Sequence, residues 1–212
     1  MSKIAYFFDM DGTIIDSMTI AWDRVILKYL HDRNIKYPED MISNIVTKGF
    51  MGIANYYVDE LGVKEKPKDL YDFFMDGLQE IYNEELEAKK GVIDALKKLK
   101  QTGVSLNMLS GGPHRFMDPC FKRLGIFDLF DNVWSIEDFN LSKSDVEIYL
   151  SASKRIGAKV EDCTMVDDSL KAIETAKKAG FNTIGVYEVI ADKYWEEMKK
   201  VADRTIKDFT EL

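Results

Sequence analysis

The chain has 212 residues, 46% of them hydrophobic and 31% charged, with a formal charge of −8, which is enough apolar material for one good core plus a smaller satellite unit. That acidic balance excludes a surface built to neutralise phosphate backbones, so nucleic acid is not an expected partner. A small anion held by a local lysine, backbone N–H groups and a bound cation stays compatible with it.

No apolar run is long enough to span a bilayer, and Met1-Ser2-Lys3-Ile4 lacks a signal-peptide layout. Cys120 and Cys163 lie far apart without metal-ligand spacing, which fits packed, reduced thiols. The expectation is a cytoplasmic protein with no membrane partner, and a monomer is the simplest assembly.

From Ile4 to Phe8 the residues are apolar and partly β-branched, as in a strand buried on both faces of an α/β sheet. This strand runs into Asp9-Met10-Asp11-Gly12-Thr13. Two carboxylates so placed can hold a cation while one attacks an electrophile and the other moves a proton. Asp-Gly also serves simply to close a strand with a turn.

Residues from about Met18 to Lys90 show helical spacing without a convincing strand, as in Trp22, Val25, Ile26, Tyr29, Leu30 and later Leu70, Phe73, Phe74, Leu78, Ile81. They read as a helical insert over 17–88, hung over the carboxyl edge of a core made of 1–16 and 89–212, the edge where open α/β sheets bind ligands. Most of the aromatic residues and methionines of the insert are expected in its own core. Lys48-Gly49-Phe50-Met51-Gly52 is the exception, because its two glycines suggest a loop between helices facing the sheet.

Beyond the insert, short apolar runs (Val104 to Leu109, Val133-Trp134, Cys163 to Val166, Thr183 to Val186) alternate with helical patterns (Val92 to Leu99, Phe116 to Leu124, Val146 to Ile156, Leu170 to Ala179). The alternation implies a mostly parallel, doubly wound α/β sheet. Three of the junctions carry chemistry. Ser110-Gly111-Gly112-Pro113 offers a hydroxyl and glycine N–H groups to an anion at a helix start. Lys143 precedes a helix and can neutralise charge shared by a phosphoryl oxygen and a carboxylate. Asp167-Asp168-Ser169 ends a strand with two acids where a helix cap needs one, and with Asp9 offers the hard oxygens that Mg2+ prefers.

Together these points resemble the haloacid dehalogenase superfamily of phosphotransferases. Asp9-Met10-Asp11-Gly12-Thr13, Ser110, Lys143 and Asp167-Asp168 match its four motifs in order, and Lys143 to Leu150 is similar to its third-motif helix without the two prolines usual there. The insert resembles the helical cap of the subgroup containing phosphoglycolate phosphatases and β-phosphoglucomutases, which implies a hinge or closure role for Asp16 and Ser17 at its start. The resemblance implies a Rossmann-like core with an inserted helical cap. Asp9 would be the nucleophile and Asp11 the acid and base. Mg2+ would be held by Asp9, the Asp11 carbonyl and Asp168, with Asp167 acting through water, and Ser110, the Gly111 N–H and Lys143 would bind phosphate.

The expected function is a Mg2+-dependent phosphatase acting on a small phosphorylated metabolite. A sugar-phosphate mutase is the alternative, disfavoured by Ala21 where such mutases carry a histidine, by the lack of an arginine soon after Gly49, and by Thr13. A non-catalytic phosphate-binding regulator is a third reading. Lys48, Gly49, His114 and Arg115 are candidate substrate contacts.

Overall fold

The structure, a computed structural model, describes residues 4–45 and 48–212. Six parallel strands form one sheet in the order β3-β2-β1-β4-β5-β6. They are β1 (Ala5–Phe8), β2 (Ser105–Ser110), β3 (Asn132–Ser135), β4 (Cys163–Asp167), β5 (Asn182–Val186) and β6 (Arg204–Ile206). The edge strand β6 has no counterpart among the apolar runs of the sequence. It is three residues long with an arginine and a threonine, and only its pairing with β5 through Ile184↔Arg204 and Val186↔Ile206 makes it a strand.

Side-chain alternation along the central strands feeds two apolar layers. Phe8, Met108 and Val166 face one layer, and Ala5, Phe7, Leu109 and Met165 face the other. Helices α5 (Val92–Gln101) and α6 (His114–Arg123) lie in the first layer, and α7 (Val146–Ile156) and α8 (Leu170–Lys178) in or beside the second. Helix α9 (Trp195–Val201) packs against α8. Both cysteines are free and buried, and burial pushes their thiols up to about 11 and about 12, so they stay protonated and unreactive.

Beyond β1 the chain enters the insert after Ile15 and leaves it at Ala88. The two connecting segments pair there, Asp16 N–H donating to the Glu87 carbonyl at 3.2 Å and Lys89 N–H to the Ile14 carbonyl at 2.9 Å. Between them lie a π-helical turn Trp22–Leu27 running on into α1 (Lys28–Asp32), then α2 (Met41–Ile45), α3 (Gly49–Asp59), α4 (Pro67–Glu80) and a second π-helical turn, Ile81–Glu85.

Phe50, Tyr57, Phe74 and Met75 are buried in the insert as its spacing implies, while Met51 and Phe73 are exposed. The loop expected at Lys48 to Gly52 is instead the start of α3, with Lys48 as its N-cap. A glycine at φ +68 makes the turn into that helix, so the residue that signalled a loop serves as a helix entry. No described helix is long and apolar enough to cross a membrane.

Candidate active site

β1 and β4 are neighbours, so Asp9, one residue past β1, and Asp167, the last residue of β4, emerge side by side. Asp9 N–H extends the ladder by donating to the Val166 carbonyl at 3.0 Å. Asp9, Asp167 and Asp168 are all buried and bring one carboxylate oxygen each to within 4.8 Å of one another. Among them sits Lys143, 3% exposed, its Nζ 2.7 Å from Asp9 Oδ1 and 2.5 Å from Asp167 Oδ2. The Tyr149 hydroxyl, shared between the carbonyls of Lys143 at 2.9 Å and Ala172 at 3.2 Å, fixes the loop that carries the lysine.

Burial pushes Asp167 up to about 6 despite Lys143, and pushes Asp168 well above the usual carboxylate range, with the charges of Asp167 and Asp9 adding to it. Burial alone would pull Lys143 down, but Asp167 and Asp9 outweigh it and hold the ammonium charged. One lysine against three carboxylates leaves a site short of positive charge and rich in hard oxygen donors, and this donor set fits a divalent cation.

Asp168 is aimed by Thr13, whose hydroxyl donates to Asp168 Oδ1 at 2.9 Å and accepts from Asp168 N–H at 3.0 Å. Gly12, at φ +76, allows this approach, because a Cβ there would stand 2.6 Å from Asp168 Oδ2. Asp11 turns away from the cluster. Its Oδ1 accepts from the Ser17 hydroxyl at 2.6 Å and the Tyr82 hydroxyl at 2.5 Å. Burial and the Asp9 charge push Asp11 up to about 6, against the pull of these two donors. Burial and Asp11 push the Tyr82 phenol well above its ordinary value, so it remains a donor.

The remaining sequence candidates divide. Ser110 ends β2 beside this group, fully buried, its Oγ accepting from Gly112 N–H at 3.0 Å, while Gly111 presents its carbonyl towards Gly49. Lys48 and Gly49 stand on the insert, facing the sheet edge. His114 is bracketed by carboxylates, Nδ1 3.1 Å from Asp118 and Nε2 2.9 Å from Asp138. Arg115 reaches across to the insert, where Nε and Nη2 donate to Gln79 Oε1 at 2.9 and 2.6 Å.

Three residues carry roles that the sequence did not reveal. Ser17 reads as a hinge residue and proves to hold Asp11. Tyr82, 71 positions from Asp11, has no local signal. Lys89 donates to the carbonyls of Gly12 at 2.7 Å and Tyr187 at 3.1 Å and to Glu188 Oε2 at 2.9 Å, bracing the turn between Asp11 and Thr13 from behind.

Residues 5–180 match the family model described as haloacid dehalogenase-like hydrolase. The chain is 28% identical over 193 residues to a phosphoglycolate phosphatase of Psychrobacter arcticus, covering 88% of this chain and 84% of that protein. It is 26% identical over 219 residues to a 6-phosphogluconate phosphatase of Escherichia coli, covering 100% and 93%. The fold superposes on the crystal structure of CbbY from Rhodobacter sphaeroides in complex with phosphate with a TM-score of 0.82, at 18% identity, over 100% of this chain and 96% of that one.

Proposed function

Because this chain belongs to the haloacid dehalogenase-like hydrolases, we propose that it is a phosphatase that hydrolyses a small phosphorylated metabolite through an aspartyl-phosphate on Asp9. The observation that carries the reading is the buried ion group of Asp9, Asp167, Asp168 and Lys143, set beside a second carboxyl, Asp11, whose pKa is pushed up to about 6. Lys143 occupies Asp9 Oδ1, which leaves Oδ2 to attack phosphorus as the bond to the leaving oxygen breaks. Asp11, partly protonated near neutral pH, gives its proton to that oxygen. Asp11 then takes a proton from water, which attacks the acyl phosphate, and the P–O bond to Asp9 breaks to release inorganic phosphate and restore the carboxylate. Ser110, the Gly111 N–H and Lys143 supply donors and charge to the phosphoryl oxygens.

Asp9 and Asp168, with the Asp11 carbonyl, are the residues that would hold Mg2+, while Asp167 is engaged by Lys143 and by Ser169 N–H at 2.8 Å. Bound there, Mg2+ would neutralise the carboxylates and polarise the phosphoryl group. The relatives named above are phosphatases of phosphoglycolate and of 6-phosphogluconate, which supports a phosphorylated metabolite as the substrate here.

The test is phosphate release from a panel of phosphorylated metabolites, with and without Mg2+, by the native chain and Asp9→Asn. Metal-dependent release that the variant lacks is the expected result. If the variant retains release, or if no ester is hydrolysed by either, the assignment is wrong, and conversion of β-glucose 1-phosphate would then point to the mutase instead.

A further inference from the structure

The insert meets the sheet edge unevenly. Over β2 and β3 the seam is shut. A Cβ on Gly49 would lie 3.2 Å from the Gly111 carbonyl oxygen and 3.0 Å from Ile136 Cδ1. Phe116 of α6 stacks on Tyr82 at 4.8 Å and meets Phe50 edge-on at 5.9 Å. Over β4 and β5 the seam gapes into a cavity of about 450 Å3, within the range that holds small ligands. Asp168 of the carboxylate cluster and Ser144, the neighbour of Lys143, border it at the reaction centre. Ile42 of the insert and Val186, Ile190, Trp195 and Met198 of the sheet side form its apolar lining.

Several of the charged groups along this lining already have partners. Lys171 lies 4.0 Å from Glu174, Glu188 pairs with Lys89 at 2.9 Å, and Lys193 donates to the Glu39 carbonyl at 3.0 Å. Lys48 and the Glu39 carboxylate are the exceptions among the described residues. What the cavity has left to offer a ligand is chiefly aliphatic and indole surface, and such surface selects for apolar bodies.

The geometry points to this cavity as the seat of the substrate's non-reacting portion, and to a phosphate monoester carrying an apolar or aromatic body as the substrate class. The inference rests on the phosphatase reading. With the β2–β3 side closed by Gly49, Phe50, Phe116 and Tyr82, a body too large for the reaction centre extends past Asp168 towards Trp195. A short polyol or carboxylate would leave the apolar wall wet.

The experiment compares 2-phenylethyl phosphate with ethyl phosphate, whose leaving alcohols are of similar acidity, so that a rate difference reports binding of the body. The expected result is a kcat/KM higher by about tenfold or more for the phenylethyl ester, expressed mainly in KM. Trp195→Ala, and separately Ala191→Trp, which fills the cavity, should each bring that ratio towards one, with thermal unfolding confirming that both variants fold. Equal kcat/KM for the two esters, or a ratio unmoved in both folded variants, overturns the cavity assignment while leaving the phosphatase intact. Absence of any Asp9-dependent release from either ester and from the metabolite panel brings down both.

Discussion

The two sides of the seam between insert and sheet are built from different materials. The β2–β3 side is an aromatic stack of Phe50, Phe116 and Tyr82, with Arg115 and Gln79 hydrogen-bonded at its rim. The β4–β5 side is an apolar-walled gap crossed by the Lys193 to Glu39 hydrogen bond. On the shut side packing does the holding, and it also delivers the Tyr82 hydroxyl to Asp11. On the open side no described residue fills the space next to Asp168. One side therefore governs where the insert sits and how Asp11 is aimed, and the other governs what the site accepts.

The sharpest way to break this contrast is Phe116→Ala, which removes the ring shared by Tyr82 and Phe50 at a fully buried position. It should destabilise by about 3–5 kcal/mol in urea unfolding, the range for a deleted core aromatic. Loss of less than about 1 kcal/mol would mean that the stack does not hold the seam.

Tyr82→Phe keeps the stacked ring and removes only the hydroxyl at 2.5 Å from Asp11 Oδ1. With the carboxyl then held by Ser17 alone, kcat should fall by about 10–100-fold with KM little changed. A rise in KM at constant kcat would place Tyr82 in substrate binding instead. Trp195→Ala sits on the opposite side at a half-buried position, so its unfolding cost should be smaller, about 1–2 kcal/mol, its effect appearing mainly in the ester preference. If it destabilised as much as Phe116→Ala, the two sides would not differ in the way described.

The smallest effect expected is at His114. Burial lowers its pKa, but the hydrogen bonds and charges of Asp138 and Asp118 outweigh burial and raise it above the ordinary 6.5. A group whose pKa is raised on folding stabilises fully below its unfolded value and loses that contribution as pH climbs through the folded one. Because the ring is 42% exposed, solvent screening limits the contribution to about 0.3 kcal/mol. His114→Gln should therefore lower thermal stability slightly at about pH 5.5 and leave it unchanged at about pH 9. An equal loss at both values would show that the charge of the ring is not involved.

Much of the core was legible because parallel strands buried on both faces are rich in apolar residues: β1 is apolar throughout, and β2, β4 and β5 are mostly recognisable despite Asn107, Thr164 and Thr183 within them. The sixth strand was not, since Arg204-Thr205-Ile206 is an edge whose identity comes from its neighbour. Asp9, Lys143, Asp167 and Asp168 were legible as charged residues at junctions where an ordinary turn or cap needs fewer. His114 and Arg115, which follow the glycine turn, were candidates only for substrate contact, and in the fold they engage Asp118, Asp138 and Gln79. Charge and proximity in sequence do not fix direction, whereas the position of a residue at the end of a central strand does.

The sequence by itself determined the parallel sheet, the helical insert and the acids and lysine gathered at the strand ends, because strand periodicity and the order of junctions are local properties of the chain. Only the tertiary structure decided that Tyr82 and Ser17 hold Asp11, that Lys89 and Glu188 brace the turn behind it, and that the seam shuts over β2 and opens over β4 and β5. Those contacts join residues up to 99 positions apart, and their distances follow from how helices pack on a twisted sheet, which no short window of sequence encodes.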